Sequence, residues 1–258
     1  MTEYCKVEKD GRILTVTLNR PDLLNALHPL ANIELGGVFD DFAEDPELWV
    51  AIITGEGRGF CAGNDLKFQA EGKMQGVEVP ERGFAGLTAR YDCDKPVIAA
   101  VNGVAMGGGF EIALACDLII ASEAATFALP EPRVGLAALA GGVHRLPRQI
   151  GLKHAMGMML TGRRVSAKEG FDLGFVNEVV APDELMPAAR RWAEQICECA
   201  PLSVRATKQA AMQGMAYGTI EAAMEAKYDG IRDMVKSEDF VEGPLAFSQK
   251  RKPNWKGR

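Results

Sequence analysis

Residues 95–117, KPVIAAVNGVAMGGGFEIALACD, hold the elements around which the rest of the chain is organised. The apolar, β-branched run at 96–100 predicts a buried strand, because it is short and is bounded by a proline and by Asn-Gly. Three consecutive glycines at 107–109 permit a positive φ angle or a close approach of another molecule to the backbone. The apolar run at 110–121 predicts a buried helix, and Glu111 interrupts it in its first turn.

Two other segments supply groups that suit acid–base chemistry. The apolar strand predicted at 49–54 runs into the glycine-rich turn GEGRGFCAGND at 55–65, whose free backbone N–H groups suit an anion. A second carboxyl, Glu131, stands between two prolines that stiffen the segment. Glu111 alone also fits a plain role at the positive end of the helix dipole. Backbone donors together with paired carboxyls are the parts of an oxyanion hole with general acid–base catalysis.

The chain resembles the enoyl-CoA hydratase/isomerase superfamily, or crotonase family, in a series of ordered motifs. They are LNRPDLLNAL at 18–27, AIITGEGRGFCAGNDL at 51–66, the stretch at 95–117, FALPEPRVGL at 127–136, GGVHRLPRQIG at 141–151 and TGRRVSAKEGFDLGFVNEVV at 161–180. Hydratases of this family carry glutamates at both positions that match Glu111 and Glu131, whereas many isomerases keep only the second. The resemblance implies an α/β fold, with a spiral core of ββα units followed by a C-terminal α-helical trimerisation region.

The same resemblance implies how the site works. The backbone N–H groups of Ala62 and Gly108 would form the oxyanion hole, which holds the thioester oxygen as an enolate forms. Glu111 as base and Glu131 as proton donor would deliver the hydroxyl group and a proton of one water to the double bond, although the sequence leaves these two roles interchangeable. Two carboxyls in one dry site do not both ionise freely, so we expect them to titrate as a coupled pair.

Six residues match positions that contact coenzyme A in related enzymes: Leu24, Ala26, Asp65, Leu66, Phe247 and Lys250. The first two belong to a backbone segment against the CoA moiety, and the next two to the wall on its adenine side. The last two belong to a tail that often reaches CoA across a subunit boundary in related enzymes. The alternative is that this tail is basic and solvated and contacts no ligand. The substrate is then an acyl-CoA thioester, no separate cofactor or metal is expected, and self-association as a trimer or a dimer of trimers is implied.

Four alternatives stay open on the residues alone. GFAGLT at 83–88 and the tail at 242–258 resemble the carnitinyl-CoA dehydratases of this family, which hydrate crotonobetainyl-CoA. A Δ3,Δ2-enoyl-CoA isomerase would need Glu131 alone. Outside these activities, the glycine spacing at 57–62 imitates a dinucleotide-binding fingerprint, but no well-placed acid follows a convincing βαβ unit. A binding protein on an inactive scaffold of this fold is disfavoured by the retention of both glutamates.

Composition disfavours several classes of protein. With 258 residues, 47% of them hydrophobic, the chain can build a substantial core. A net charge of −6 without a long Lys/Arg cluster disfavours a nucleic-acid partner. The six cysteines form no C-x-x-C pair, which disfavours zinc, and a disulfide framework is not expected in a chain of this length. Every apolar run is shorter than a membrane span of about 20 residues. The charged start lacks an apolar leader, so the expected location is the cytoplasm.

The remaining pattern predicts mixed strands and helices first and helices alone afterwards. Further strands are expected at 13–18, within a hairpin over 3–18, and at 125–129 and 176–180. Helices are expected at 27–42, 142–150, 153–160, 185–199, 202–215 and 220–235, and a loop beside the site at 67–84. We therefore divide the chain into a catalytic spiral core at 1–195 and a helical oligomerisation region at 196–258.

Overall fold

The computed structural model describes residues 2–71 and 81–258. The strands within these ranges are β1 (Cys5–Asp10), β2 (Ile13–Leu18), β3 (Val50–Gly55), β4 (Gly59–Cys61), β5 (Val97–Val101), β6 (Val104–Met106), β7 (Leu118–Ser122), β8 (Thr126–Ala128), β9 (Val165–Ser166) and β10 (Glu178–Val180). The helices within them are α1 (Pro29–Glu44), α2 (Leu66–Ala70), α3 (Gly108–Ala115), α4 (Gly142–Ile150), α5 (Leu152–Thr161), α6 (Ala167–Leu173), α7 (Leu185–Cys197), α8 (Pro201–Gly214), α9 (Ile220–Glu225), α10 (Asp229–Val235) and α11 (Glu238–Ser248).

The strands form two sheets. The larger sheet has the order β1-β2-β3-β5-β7-β10, and the smaller has the order β4-β6-β8-β9. The predicted hairpin is confirmed, since β1 pairs antiparallel with β2 through a turn in which Gly11 has a φ of 58°. From β2 to β10 the larger sheet is parallel, and β9 adds an antiparallel edge to the smaller one. A parallel sheet of this kind needs cover on both faces.

Successive pairs of strands repeat one pattern. The first strand of each pair joins the larger sheet, the second joins the smaller sheet, and a helix follows, as in β3-β4-α2 and β5-β6-α3. After β7 and β8, a short 3-10 turn at Glu131–Val134 precedes α4. The spiral of ββα units that the family resemblance implied is therefore confirmed, although no internal sequence repeat predicts it.

The alternation of side chains along β3 shows why its sequence is apolar without a break. Val50 and Ile52 face a core formed with α7, while Ala51 and Ile53 face the main core that contains α1 and α3. All four side chains are buried. Since both faces of the larger sheet are covered, its central strands read as continuous apolar runs.

The helix predicted at 110–121 is wrong in its second half. The helix α3 ends at Ala115, and β7 occupies the remainder as a buried strand. The Asp117 carboxylate sets the boundary, because it accepts a hydrogen bond from the backbone N–H of Val97 at 2.8 Å and pairs with the Lys208 ammonium at 2.8 Å. The two isoleucines that follow are β-branched and suit a strand.

Two other predicted segments need correction. The helix expected at 220–235 is divided into α9 and α10 by residues 226–228, and α11 lies in the region predicted to be helical, although no separate helix was assigned there. Of the loop expected at 67–84, residues 72–80 lie outside the described residues, and its flanks contain α2 and a 3-10 turn at Phe84–Gly86.

The domain division at residue 195 stays a prediction. In the described part of the chain, the helices are too short or too polar to cross a membrane.

Candidate active site

The site is built around the first turn of α3. Gly107, the residue before the helix, has a φ of 54°, a conformation that favours glycine, and its N–H donates to the Ala128 carbonyl at 2.9 Å. Gly108 is the first helical residue, so its N–H has no acceptor within the helix. A β-carbon on Gly63 would lie 2.9 Å from the Gly108 nitrogen. The turn after β4 therefore lies against the start of α3.

Glu111 lies one turn into α3 and is buried. Its Oε1 accepts a hydrogen bond from the backbone N–H of Gly142 at 2.8 Å, which ties α3 to the start of α4. Burial and, to a lesser degree, the nearby charge of Glu131 raise the pKa of this carboxyl to about 7, against the opposing effect of the Gly142 hydrogen bond. A carboxyl with a pKa near neutrality can exchange protons at physiological pH.

Glu131 reaches the same end of α3 from the 3-10 turn after β8. A β-carbon on Gly107 would lie 2.9 Å from its Oε1, so the carboxyl occupies the space beside the helix start. Its Oε2 is buried and has no hydrogen-bond partner among the described residues. Burial raises the pKa of this carboxyl as well. A buried oxygen without a protein partner is available to a water or a substrate.

The prediction that the Ala62 N–H is an oxyanion donor conflicts with a hydrogen bond that this N–H already makes. The Ala62 N–H donates to the Leu24 carbonyl at 2.9 Å and is therefore already occupied. Two residues later, the Asn64 N–H has no acceptor among residues 2–71 and 81–258. The sequence motif located the right turn but not which of its N–H groups is free, because that depends on pairing with the segment around Leu24.

The four predicted CoA contacts in the first part of the chain come together beside this turn. Leu24 takes a left-handed conformation with a φ of 49°, and Ala26, two residues later, is buried. Asp65 is also buried. Its carboxylate caps α2 by accepting a hydrogen bond from the Phe68 N–H. It also pairs with Arg20, whose Nη2 lies 3.0 Å from Oδ2. Leu66 stays exposed at the start of α2. Asp65 therefore serves the local structure, and its role toward CoA stays a prediction.

The other two predicted CoA contacts lie at the end of α11. The Phe247 side chain is 86% exposed, and Lys250 is exposed with a φ of 55°. The backbone N–H of Lys250 donates to the Phe247 carbonyl at 3.1 Å. Within the described part of this single chain, no hydrogen bond joins either residue to α3 or to the turn at Gly63.

Besides Asn64, the sequence analysis missed two residues of the site. The ring of Phe84 lies against Gly108, so that a β-carbon there would be 2.8 Å from the nearest ring atom. Gly142 supplies the N–H that binds Glu111, and the Gly141-Gly142 pair was the sequence signal for a second backbone donor. Within the described ranges, no three His, Cys, Asp or Glu side chains form a group that could hold a metal ion.

Glutamine at position 111 should stabilise the protein above neutral pH. Because burial raises the pKa of Glu111 from 4.5 to about 7, its contribution to stability is complete below about pH 4.5 and is lost as the pH rises through about 7. Glu111→Gln cannot ionise and keeps an acceptor for Gly142. We expect its free energy of unfolding at pH 8 to exceed the wild type's by on the order of 2 kcal/mol, with a smaller difference at pH 5.

Thermal unfolding at the two pH values measures this difference. The control is Glu123→Gln, a solvent-exposed glutamate between β7 and β8, which should match the wild type at both. If Glu111→Gln is no more stable than the wild type at pH 8, the carboxyl is not desolvated as described.

Comparisons with known proteins extend over nearly the whole chain. Residues 8–258 match the family model described as enoyl-CoA hydratase/isomerase. A curated relative from Proteus mirabilis (strain HI4320), named carnitinyl-CoA dehydratase, is 45% identical over 267 residues covering 100% of each chain, and one of the same name from Escherichia coli O157:H7 matches equally. A crystal structure of enoyl-CoA hydratase from Mycobacterium tuberculosis H37Rv is similar with a TM-score of 0.92, 39% identity and 99% coverage of both chains.

Proposed function

Because the chain belongs to the enoyl-CoA hydratase/isomerase family, we propose that it adds water across the 2,3 double bond of an enoyl-CoA thioester and catalyses the reverse elimination. The observation that carries this proposal is the pair of desolvated carboxyls, Glu111 and Glu131, at the start of α3. Both lie beside backbone N–H groups, so a base, an acid and oxyanion donors occupy one small region.

In the proposed hydration, one water lies between the two carboxyls. Ionised Glu111 takes a proton from the water, and the water oxygen forms a bond to C3 of the enoyl group. The electrons of the double bond move toward the thioester, whose oxygen gains negative charge. Protonated Glu131 gives its proton to C2, and exchange with solvent restores both carboxyls. Elimination runs through the same steps in reverse.

The proposed donors to the thioester oxygen are the N–H groups of Gly108 and Asn64. Gly108 begins α3, so its N–H lies at the positive end of the helix dipole. Asn64 takes the place first assigned to Ala62, because the backbone N–H of Asn64 has no acceptor among the described residues. In other enzymes one such donor contributes about a hundred- to a thousandfold in rate.

A hydro-lyase acting on crotonobetainyl-CoA is the second candidate. The relatives from Proteus mirabilis and Escherichia coli carry the name carnitinyl-CoA dehydratase. The Phe84 ring, which lies against Gly108, would border the acyl group of a thioester held there. An aromatic face attracts a quaternary ammonium group within about 6 Å of its centre. That attraction suits the trimethylammonium group of this substrate.

Assays with a panel of thioesters test both candidates. Chelator-treated protein is mixed with crotonyl-CoA, crotonobetainyl-CoA and a trans-3-enoyl-CoA, and the conjugated double bond is followed by its ultraviolet absorbance. We expect hydration of a trans-2-enoyl-CoA without added metal or nucleotide, and a preference for crotonobetainyl-CoA if the second candidate holds. Isomerisation of the trans-3-enoyl thioester alone, or activity that only a divalent ion restores, would contradict the proposal.

We also propose that the helices after residue 195 form an interface with further copies of this chain, in a trimer or a dimer of trimers. Large apolar side chains stay exposed along them: Met212, Met215, Ile220, Met224, Phe240, Val241, Leu245 and Phe247. An open groove of about 780 Å³ between α8, α9 and α10 is lined largely by apolar residues. Exposed apolar surface of this extent is typical of association sites.

Variants of the tail should weaken CoA binding without changing the chemical step. If Phe247 and Lys250 complete the CoA site of a neighbouring copy, alanine at either position should raise KM about tenfold and leave kcat nearly unchanged, since they contribute equally to ground-state and transition-state binding. Lys252→Ala, an exposed lysine nearby, serves as the control. Steady-state kinetics and mass measurement in solution check this prediction, which an active monomer would contradict.

The proposed partners are therefore acyl-CoA thioesters and further copies of the chain. A nucleic-acid or membrane partner is not proposed, since the net charge is −6 and no uninterrupted run of Lys and Arg exceeds three residues. We propose the cytoplasm as the location, because the cysteine spacing suits a reducing compartment.

A further inference from the structure

Arg145 lies on α4, one turn after the residue whose N–H binds Glu111. Its Nη2 donates to the Thr88 carbonyl at 2.8 Å, and its Nη1 donates to the Ala140 carbonyl at 3.3 Å. The guanidinium fills the space beside Gly141, where a β-carbon would lie 2.0 Å from Nη1. One side chain thus joins the turn before α4 to the segment that follows Phe84.

The charge of Arg145 is not neutralised by an ion pair within the described residues. Its charge lowers the pKa of Glu111, opposing the larger effect of burial, while the charge of Glu131 acts in the other direction. Besides Arg145, backbone hydrogen bonds from Gly142 and Ala140 favour the ionised form of Glu111. Arg145 is therefore a positive side chain whose charge favours the ionised form of this desolvated carboxyl.

We propose that Arg145 is a positioning residue for Glu111: it fixes the turn from Ala140 to Gly142, which aims the Gly142 N–H at the Glu111 carboxylate. This inference rests on the proposed role of Glu111 as the base. Arg145 does not touch the reacting atoms, and it acts through the turn and through its charge. Small displacements of a catalytic group are costly, since a shift of about 1 Å can lower a rate about a hundredfold.

The fold itself depends on other residues of α4. Leu146 and Ile150 are buried in the main core and hold the helix against its neighbours. The segment that contains Thr88 is held independently by Arg90, which donates to the Gly86 carbonyl at 2.7 Å and to the Gly36 carbonyl at 3.0 Å. Substitution of Arg145 should therefore leave the fold in place.

Two substitutions separate the charge from the geometry. Arg145→Gln removes the positive charge and the two-pronged contact together. Arg145→Lys keeps the charge, but its ammonium cannot reproduce the planar fork that spans two carbonyls. Arg148→Gln is the matched control, because Arg148 is exposed on the same helix and, among the described residues, donates only to the His144 carbonyl of its own helix.

The test measures kcat and kcat/KM of the four proteins across pH. We expect kcat to fall about tenfold to a hundredfold in Arg145→Gln, and the limb on which activity rises with pH to move to higher pH. In Arg145→Lys that limb should stay at the wild-type pH while kcat is still lowered, and Arg148→Gln should match the wild type. Wild-type kcat in Arg145→Gln, or a lowered kcat with an unmoved limb, would overturn the proposal.

A stability measurement supplies a readout that does not depend on activity. Since Arg145 favours ionised Glu111, Arg145→Gln should lower the melting temperature more at pH 8 than at pH 5, and this pH dependence should vanish in a Glu111→Gln background. A wild type that hydrates none of the thioesters would refute the proposed function alone. A pH dependence that persists in the Glu111→Gln background would refute the role of Arg145.

Discussion

Glutamine in place of Glu131 should lower kcat for hydration by at least about a hundredfold, the lower range for loss of a general acid or base. The Glu131 carboxyl is desolvated, and its buried Oε2 has no partner among the described residues, so it is free to hold a proton toward the substrate. A glutamine amide keeps the shape of the side chain but cannot transfer that proton to C2. Glu111→Gln should cause a loss of similar size, because it removes the base.

The measurement is kcat for a trans-2-enoyl-CoA, together with the dissociation constant of CoA, which should change little in either variant. Glu123→Gln, the exposed glutamate used above, controls for the loss of one negative charge. If Glu111→Gln keeps full isomerase activity while the wild type shows little hydration, the isomerase alternative is correct instead.

Alanine in place of Gly109 should lower the free energy of unfolding by more than about 3 kcal/mol. The new β-carbon would lie 1.9 Å from the Cys61 carbonyl oxygen and 2.7 Å from its carbon. Both are backbone atoms, so no side-chain rotation relieves the clash, and β4 must move away from α3. That movement would also separate the turn at Gly63 from the Gly108 N–H, so any protein that folds should hydrate poorly.

Urea denaturation of purified protein checks the loss of stability, and the yield of folded protein is a second readout. Gly37→Ala is the matched control, because Gly37 is exposed within α1 and a β-carbon there meets no atom within 4 Å. This control should stabilise the protein by about 0.5–1 kcal/mol, the usual advantage of alanine over glycine in a helix. Unfolding of Gly109→Ala at the wild-type urea concentration would show that the two elements are not in close contact.

The buried strands could be predicted, because burial on both faces leaves an apolar run without interruption, as in β3 and β5. The same property caused the error at 110–121. Both α3 and β7 are almost wholly buried, so no periodicity separates helix from strand there. Their boundary depends on Asp117, whose bond to the Val97 N–H joins two segments that the sequence does not relate.

The two carboxyls of the site could be predicted because Glu111 and Glu131 stand in apolar sequence and match a family motif. Which backbone groups serve them could not be predicted. The Ala62 N–H is occupied by the Leu24 carbonyl, and the Gly142 N–H is turned toward Glu111. Both facts depend on contacts between distant parts of the chain, and local sequence specifies only that a turn is present.

Both sheets add their strands in the order in which the chain is synthesised. In the larger sheet each strand from β2 to β10 pairs with the strand of that sheet made just before it, and the smaller sheet follows the same rule from β4 to β9. A growing chain leaves the ribosome at roughly 5–20 residues per second, its amino-terminal end first. Each new strand therefore meets its pairing edge already assembled, and neither sheet has to keep a gap open for a strand that is still to be translated.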